Sequence, residues 1–254
     1  MKTYLRLLSL KISSRLSYKL DFFTTLISSL LWSLASPLFI ILLYQSGASY
    51  PDWNFNEILL FIGIYTALFG LGRAFFYNFF FNTGADVRTG YLELTLIKPV
   101  DELVLLLGKS FDWESLSEVL AGSLIAIYAF IQLSLSPNIF LFLVYIGLAL
   151  LFYFSMILLI SSLIMKYVQV TRLIEIVERF MDIASHPKNV YPRVVQTGFS
   201  IFIPLFIISY YPASALIGFE LVYPFTIILT TLIFFMLSLY IWRKSIKNYT
   251  GAGG

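Results

Sequence analysis

The sequence predicts an all-α polytopic membrane protein with six transmembrane helices. Three observations carry that fold class. Hydrophobic residues make up 59% and charged residues 12% of the 254 residues, against about 45–50% and about 25% in an ordinary soluble domain. Apolar runs recur along the chain at close to the ~20 residues that a helix needs to cross the hydrocarbon core. Lys and Arg fall on alternate links between those runs. The composition excludes an ordinary soluble enzyme, a disordered chain and a nucleic-acid binder. Cys is absent and His occurs once. Disulfides and thiolate sites are therefore excluded, and a His/Cys zinc site is not expected.

The elements follow in order. In residues 1–20, Leu5, Leu8, Ile12, Leu16 and Leu20 recur at helical spacing, with Lys11 and Arg15 on other faces. This predicts an N-terminal amphipathic interfacial helix, its basic side on anionic lipid. Its end lacks the short apolar core and small-residue site of a cleavable signal. Span one is 22–44, uncharged, with Pro37 inside it, which a helix in lipid tolerates. The link 45–56 offers Tyr50 and Trp53 as interfacial anchors. Span two is 57–81, span three 115–135 and span four 139–165. Span five, 194–211, is shorter and contains Pro204; span six is 222–242. One domain, 1–254, accounts for the chain.

Every Lys and Arg except Arg73 lies in the N-terminal segment, in 82–114, in 166–193 or after 242. The links 45–56, 136–138 and 212–221 hold none. The expected orientation puts both termini in the cytoplasm. The 82–114 segment is too polar to cross and too apolar to be a free loop. Leu92, Leu94, Leu96 and Ile97 alternate there with Arg88, Glu93 and Lys98. Gly90 and Pro99 bound a short helix of the mixed kind that docks into a groove of a soluble partner. In 166–193, Arg172, Glu175, Glu178, Arg179 and Asp182 recur at spacings of three and four, opposite Leu173, Ile176, Val177 and Phe180. That pattern predicts a cytoplasmic surface helix, followed by a Pro-punctuated link in which His186 is a solvated loop residue.

The stretch Arg88-Thr89-Gly90-Tyr91-Leu92-Glu93-Leu94-Thr95-Leu96-Ile97-Lys98-Pro99-Val100 resembles the cytoplasmic motif of ABC-2 type transporter permeases, in the six-span branch of that exporter superfamily. It sits in the same place, between spans two and three. Tyr191-Pro192, Pro204 and Tyr210-Tyr211-Pro212-Ala213 are similar to later features of that branch. The resemblance covers nearly the whole chain. It implies the permease half of an exporter, driven by two copies of a separate cytoplasmic ATP-binding subunit. It implies a coupling helix over 86–100, with Arg88, Gly90, Leu92, Glu93, Leu96, Lys98 and Pro99 meeting that subunit. It also implies a second permease, identical or paralogous, with the path between spans one, two and five. The segment 210–221 becomes a re-entrant or interfacial element. No cofactor is bound directly, and ATP and Mg sit on the partner subunit. The setting is the inner membrane of a prokaryotic-style cell.

Nothing in the chain itself suits ATP hydrolysis. Gly108-Lys109-Ser110 has Leu103 where a phosphate-cradling loop needs its first Gly. Arg73 lies roughly 13 Å deep at about 1.5 Å rise per residue. It contacts an anionic headgroup or substrate, or else it snorkels or pairs with backbone or a neighbouring acid. Asp112, Glu114 and Glu118 suit a helix N-terminus. The ring cluster from Phe75 to Phe81 suits packing toward lipid and the interface. A surface this apolar and aromatic suits an amphiphilic or hydrophobic substrate, such as a lipid, glycolipid, peptide or drug. The alternative is an ATP-independent secondary transporter or channel, which would have only Arg73 as a mid-membrane charge. An intramembrane enzyme would need a cluster of catalytic side chains that the sequence lacks.

Overall fold

The computed structural model describes residues 19–133, 137–165, 167, 172–219 and 224–250. Most of the predicted interfacial helix 1–20, the end of 210–221 and the terminal Gly251-Ala252-Gly253-Gly254 lie outside the described residues. Among the described residues there is no strand.

Helices α1 (Lys19–Ser33) and α2 (Ala35–Gln45) cover the run expected as span one. The joint at Leu34 has a local cause. Pro37 has no N–H to give the Ser33 carbonyl, four residues back, and its ring crowds that oxygen. Span two is longer than expected. It runs as α3 (Phe55–Gly72), a π-helical turn (Arg73–Tyr77) and α4 (Asn78–Arg88), continuous over 34 residues. Asn54 starts it with a capping box: its side chain accepts from the Glu57 N–H at 3.0 Å, and its own N–H donates to Glu57 at 2.9 Å. At about 1.5 Å per residue the rod is roughly 50 Å long, against a hydrocarbon core of about 30 Å. The rod is therefore roughly 20 Å longer than that core is thick.

After Arg88 the chain makes two short helices, α5 (Tyr91–Leu96) and α6 (Glu102–Ser110). It then returns as α7 (Leu116–Gln132) and α8 (Ile139–Ile164). The last helix, α12 (Pro224–Lys247), packs along α8 with Phe152 on Phe234 at 5.2 Å between ring centroids. The described parts of the runs expected as spans one to four and six are largely helical. Among the described residues, four helices are long and apolar enough to cross a membrane by length and composition, and α7 is shorter.

The region of the expected fifth span departs from expectation. Residues 194–211 are not one helix. They divide into α10 (Arg193–Ile201), a 3-10 turn (Leu205–Ile208) and α11 (Tyr210–Ile217). Pro204 withholds a helical N–H and so stops α10 from continuing. The turn is fully packed, with Leu205, Phe206 and Ile207 at 0% exposure. The helix expected on the cytoplasmic surface, α9 (Leu173–Ala184), instead runs beside α3. Tyr77 donates to Glu178 at 2.7 Å, Tyr65 donates to the Met181 carbonyl at 3.0 Å, and His186 lies 6.4 Å from Tyr50. The chain thus climbs to the end of the bundle that carries the 45–54 link. Lys188 and Arg193 are at that end, away from α5, so the alternation of charge by link is not strict.

Two smaller expectations also change. Trp53 is not an interfacial anchor but is buried among Phe61, Tyr210 and Phe219. Within the Phe75–Phe81 cluster, Phe79 and Phe80 are core residues. Phe79 packs on the buried Trp242, and Phe76 packs on Phe154.

Candidate functional site

The end of the rod is built by two punctuation residues. Gly90 adopts φ +73, a left-handed conformation that turns the chain out of α4. A Cβ there would meet nothing within 4 Å. Gly90→Ala should therefore cost only the conformational term, ~1–2 kcal/mol. Gly90→Pro should cost clearly more, because it also forbids that φ and deletes the N–H donated to the Val87 carbonyl. Thermal melts of the two variants in detergent test the order.

Beyond Gly90, α5 lays Leu92 and Thr95 inward at 0% exposure and leaves Glu93, Leu94, Ile97 and Lys98 outward. Leu92 is thus part of the core, and Leu96 is half-buried; neither presents a free contact face. Arg88 and Pro99 are exposed and flank the outward face. Arg88, Glu93 and Lys98 have no ion-pair partner among the described residues. The outward face mixes apolar and charged groups, as a protein-docking helix does.

Helix α6 braces α5 against the bundle. Asp101 caps it by accepting from the Leu103 N–H at 2.9 Å. Lys109 pairs with Asp86 at 3.3 Å and lies 4.6 Å over the Tyr91 ring. Gly108-Lys109-Ser110 is thus the closing turn of a helix whose lysine is already engaged. Arg243 of α12 reaches Asp101 at 2.7 Å and Glu102 at 2.5 Å, and Trp242 donates to Glu102 at 3.3 Å. Burial pushes the Asp101 carboxyl up, but Arg243 and the Leu103 N–H outweigh it and hold the group below its ordinary value.

Arg73 is the predicted intramembrane charge, and its partner is Glu118 at the start of α7, 2.5 Å away. The guanidinium also lies over the rings of Phe69 and Tyr77, at 5.7 and 5.4 Å. Where the π-turn widens the rod, the Asp112 N–H donates to the Ala74 carbonyl at 2.8 Å. The pair borders a cleft of about 270 Å³ against Ser28, Ser29 and Trp32 of α1. Of the sequence readings of Arg73, pairing with a neighbouring acid is what the structure holds. Sequence reasoning assigned Glu118 to a helix N-terminus. The available signal was depth: both residues lie near the inner ends of antiparallel neighbours.

A second feature escaped the sequence entirely. Gly63 and Ala67 of α3 face Gly122 and Ala126 of α7, and Gly70 faces Glu118 and Val119, with the two backbones in contact. This is the small-residue packing of membrane helices.

An all-helical bundle with several apolar helices, capped at one end by an exposed mixed helix, is the architecture of an integral membrane protein. The family model for ABC-2 family transporter proteins matches residues 30–253, and the chain belongs to that family. Comparison with curated proteins finds no match. Members of this family are the membrane component of ABC transporters. They are in general not catalytic, and they typically work with ATP-binding subunits.

Proposed function

We propose that the chain is the permease subunit of an ATP-driven exporter, with α5 seated in the cleft of a cytoplasmic ATP-binding subunit. The observation that carries this reading is α5 with the turn that follows it: Glu93, Leu94, Ile97 and Lys98 point outward, Glu93 and Lys98 have no ion-pair partner among the described residues, and α6 braces the helix from behind. Two copies of the ATP-binding subunit would serve two permeases, identical or paralogous. ATP and Mg would be held there, and the permease would bind no cofactor. The setting would be the inner membrane, with both termini cytoplasmic. The outward face of α9 supports a path between permeases. Glu175, Glu178, Arg179 and Asp182 are exposed alongside a spanning helix. Charges at that depth belong against water or protein rather than lipid. Such a path, with apolar and aromatic walls, suits an amphiphilic or hydrophobic substrate moving outward.

Purification from the native membrane in mild detergent should bring a stoichiometric ATP-binding subunit. Glu93→Arg should leave the permease monodisperse but weaken that association and its ATPase coupling on the order of tenfold, the effect of about 1.4 kcal/mol at an interfacial charge. Unchanged coupling in both Glu93→Arg and Gly90→Pro would remove α5 from the mechanism.

A further inference from the structure

The unexpected position of 185–201 creates a site at the end of the bundle opposite α5. We infer that the cavity between α10, α11 and the first turn of α12 binds a phosphate-class anion, with Lys188 as its cation. The cavity is about 170 Å³ and is lined by Lys188, Gln196, Thr197, Ser200, Tyr211 and Thr226, among others. No Asp or Glu lines it among the described residues. The Lys188 ammonium lies 4.2 Å over the Tyr210 ring and 5.4 Å from the Tyr211 ring. Arg73, Lys109, Arg179 and Arg243 each have a carboxylate; Lys188 has none among the described residues.

The two rings position the ammonium but accept none of its hydrogen bonds. Ring faces offset a cation by about 0.5–2 kcal/mol, so the three N–H donors still call for an acceptor. Burial without a counter-charge also holds the group below its ordinary value. The Thr226 hydroxyl and the paired Ser200 and Tyr211 hydroxyls add polar contacts. The Thr197 hydroxyl does not, because its proton goes to the Arg193 carbonyl. Thr226 and Ile227 belong to the opening turn of the 24-residue α12. That turn presents N–H groups and the positive end of the helix dipole. These features all favour negative charge.

The cavity, about 170 Å³, suits a phosphate group rather than a whole lipid. Residues adjoining the lining ones, Val194, Phe202 and Phe225, are exposed apolar groups at 85%, 78% and 84%. They offer a surface for acyl or prenyl chains attached to the anion. Two sources share this chemistry, a lipid headgroup and a free phosphate. As a binding site the cavity is independent of the exporter reading; only its place near the exit of the path rests on that reading.

The test uses the full permease alone, so its result and that of the coupling experiment are separable. The protein is exchanged into a defined phosphatidylcholine and phosphatidylglycerol mixture, and retained lipids are counted by native mass spectrometry. Inorganic phosphate is titrated separately with thermal unfolding as readout. Lys188→Gln should weaken binding about tenfold or more, as expected for loss of a charge-assisted hydrogen bond, and Lys188→Arg should retain most of it. Preferential phosphatidylglycerol retention that Lys188→Gln abolishes identifies a lipid headgroup. A phosphate-induced shift lost in the same variant, with no lipid preference, identifies a free anion. Equal binding by wild type and Lys188→Gln in both arms, with both proteins folded, overturns the site, as does no binding in either arm.

Discussion

Gly122→Leu should leave little folded permease, a loss of at least about 3 kcal/mol, at or beyond the upper end of ordinary overpacking. The reason is that its neighbour is backbone. A Cβ on Gly122 would overlap the Ala67 main-chain nitrogen and lie 2.7 Å from the Gly63 carbonyl oxygen. From the other side, a Cβ on Gly63 would lie 2.5 Å from the Ala126 nitrogen, and one on Gly70 would lie 2.8 Å from the Glu118 Cβ. A flexible side chain can swing away, whereas a helix backbone moves only as a whole. Opening this seam would separate α3 from α7 and pull Arg73 off Glu118. Gly147→Leu is the control, because a Cβ there meets nothing within 4 Å. The readout is the monodisperse fraction on size exclusion and the melting midpoint in one detergent. Equal behaviour of the two variants would mean that α3 and α7 do not pack this way.

The second large effect is expected at the Arg73–Glu118 pair. Arg73→Met should leave a carboxylate with 12% side-chain exposure beside rings and no counter-charge. Glu118→Leu should leave the guanidinium without its salt-bridge partner, though still over two rings and on the cleft that Asp112 and Glu114 also line. Breaking a buried pair by removing one partner costs about 3–5 kcal/mol, while replacing both with apolar residues is often neutral. Arg73 keeps 35% exposure toward the cleft, so each single change should cost nearer ~2–3 kcal/mol. The double variant should recover most of that loss, giving a coupling energy in a thermodynamic cycle. Singles that each cost nothing, or a double equal to their sum, would show that the pair contributes no specific stabilisation.

Much of the bundle was legible because hydropathy and Pro/Gly placement act locally. Span one, the rod from Phe55, α7, α8 and α12 each follow from an apolar run, and α5 from Gly90 and Pro99. The family motif lay on that same short helix. Span five was misread because average hydropathy hides faces. Residues 194–211 are apolar enough to cross, yet Pro204 cuts the hydrogen-bond ladder. Residues 173–184 carry charges at helical spacing, which reads as a water-facing surface helix. Inside a bundle, the apolar stripe of Ile174, Val177 and Met181 packs inward, and the charged stripe lies at a depth where a single chain's sequence does not place it. The partner of Arg73 and the glycine seam are relations between segments far apart in sequence. The residues were in view, but no local pattern paired them. Lys188 was misplaced for the same reason as α9, since counting charges by link assumes that the links are correctly drawn.

The length of the rod has a consequence for where α5 is presented. Headgroup layers add only about 5–8 Å on each side of the hydrocarbon core, and roughly 20 Å of the rod lies beyond that core. On the proposed coupling reading, and with the rod upright, the short helix would be held at a standoff from the lipid surface, where a soluble subunit could grip it without displacing headgroups. Each residue of α4 contributes about 1.5 Å of that height and about 100° of azimuth. Height and bearing are thus set together. An insertion or deletion between Asn78 and Arg88 would both raise or lower the docking face and turn it, except near whole multiples of a helical turn.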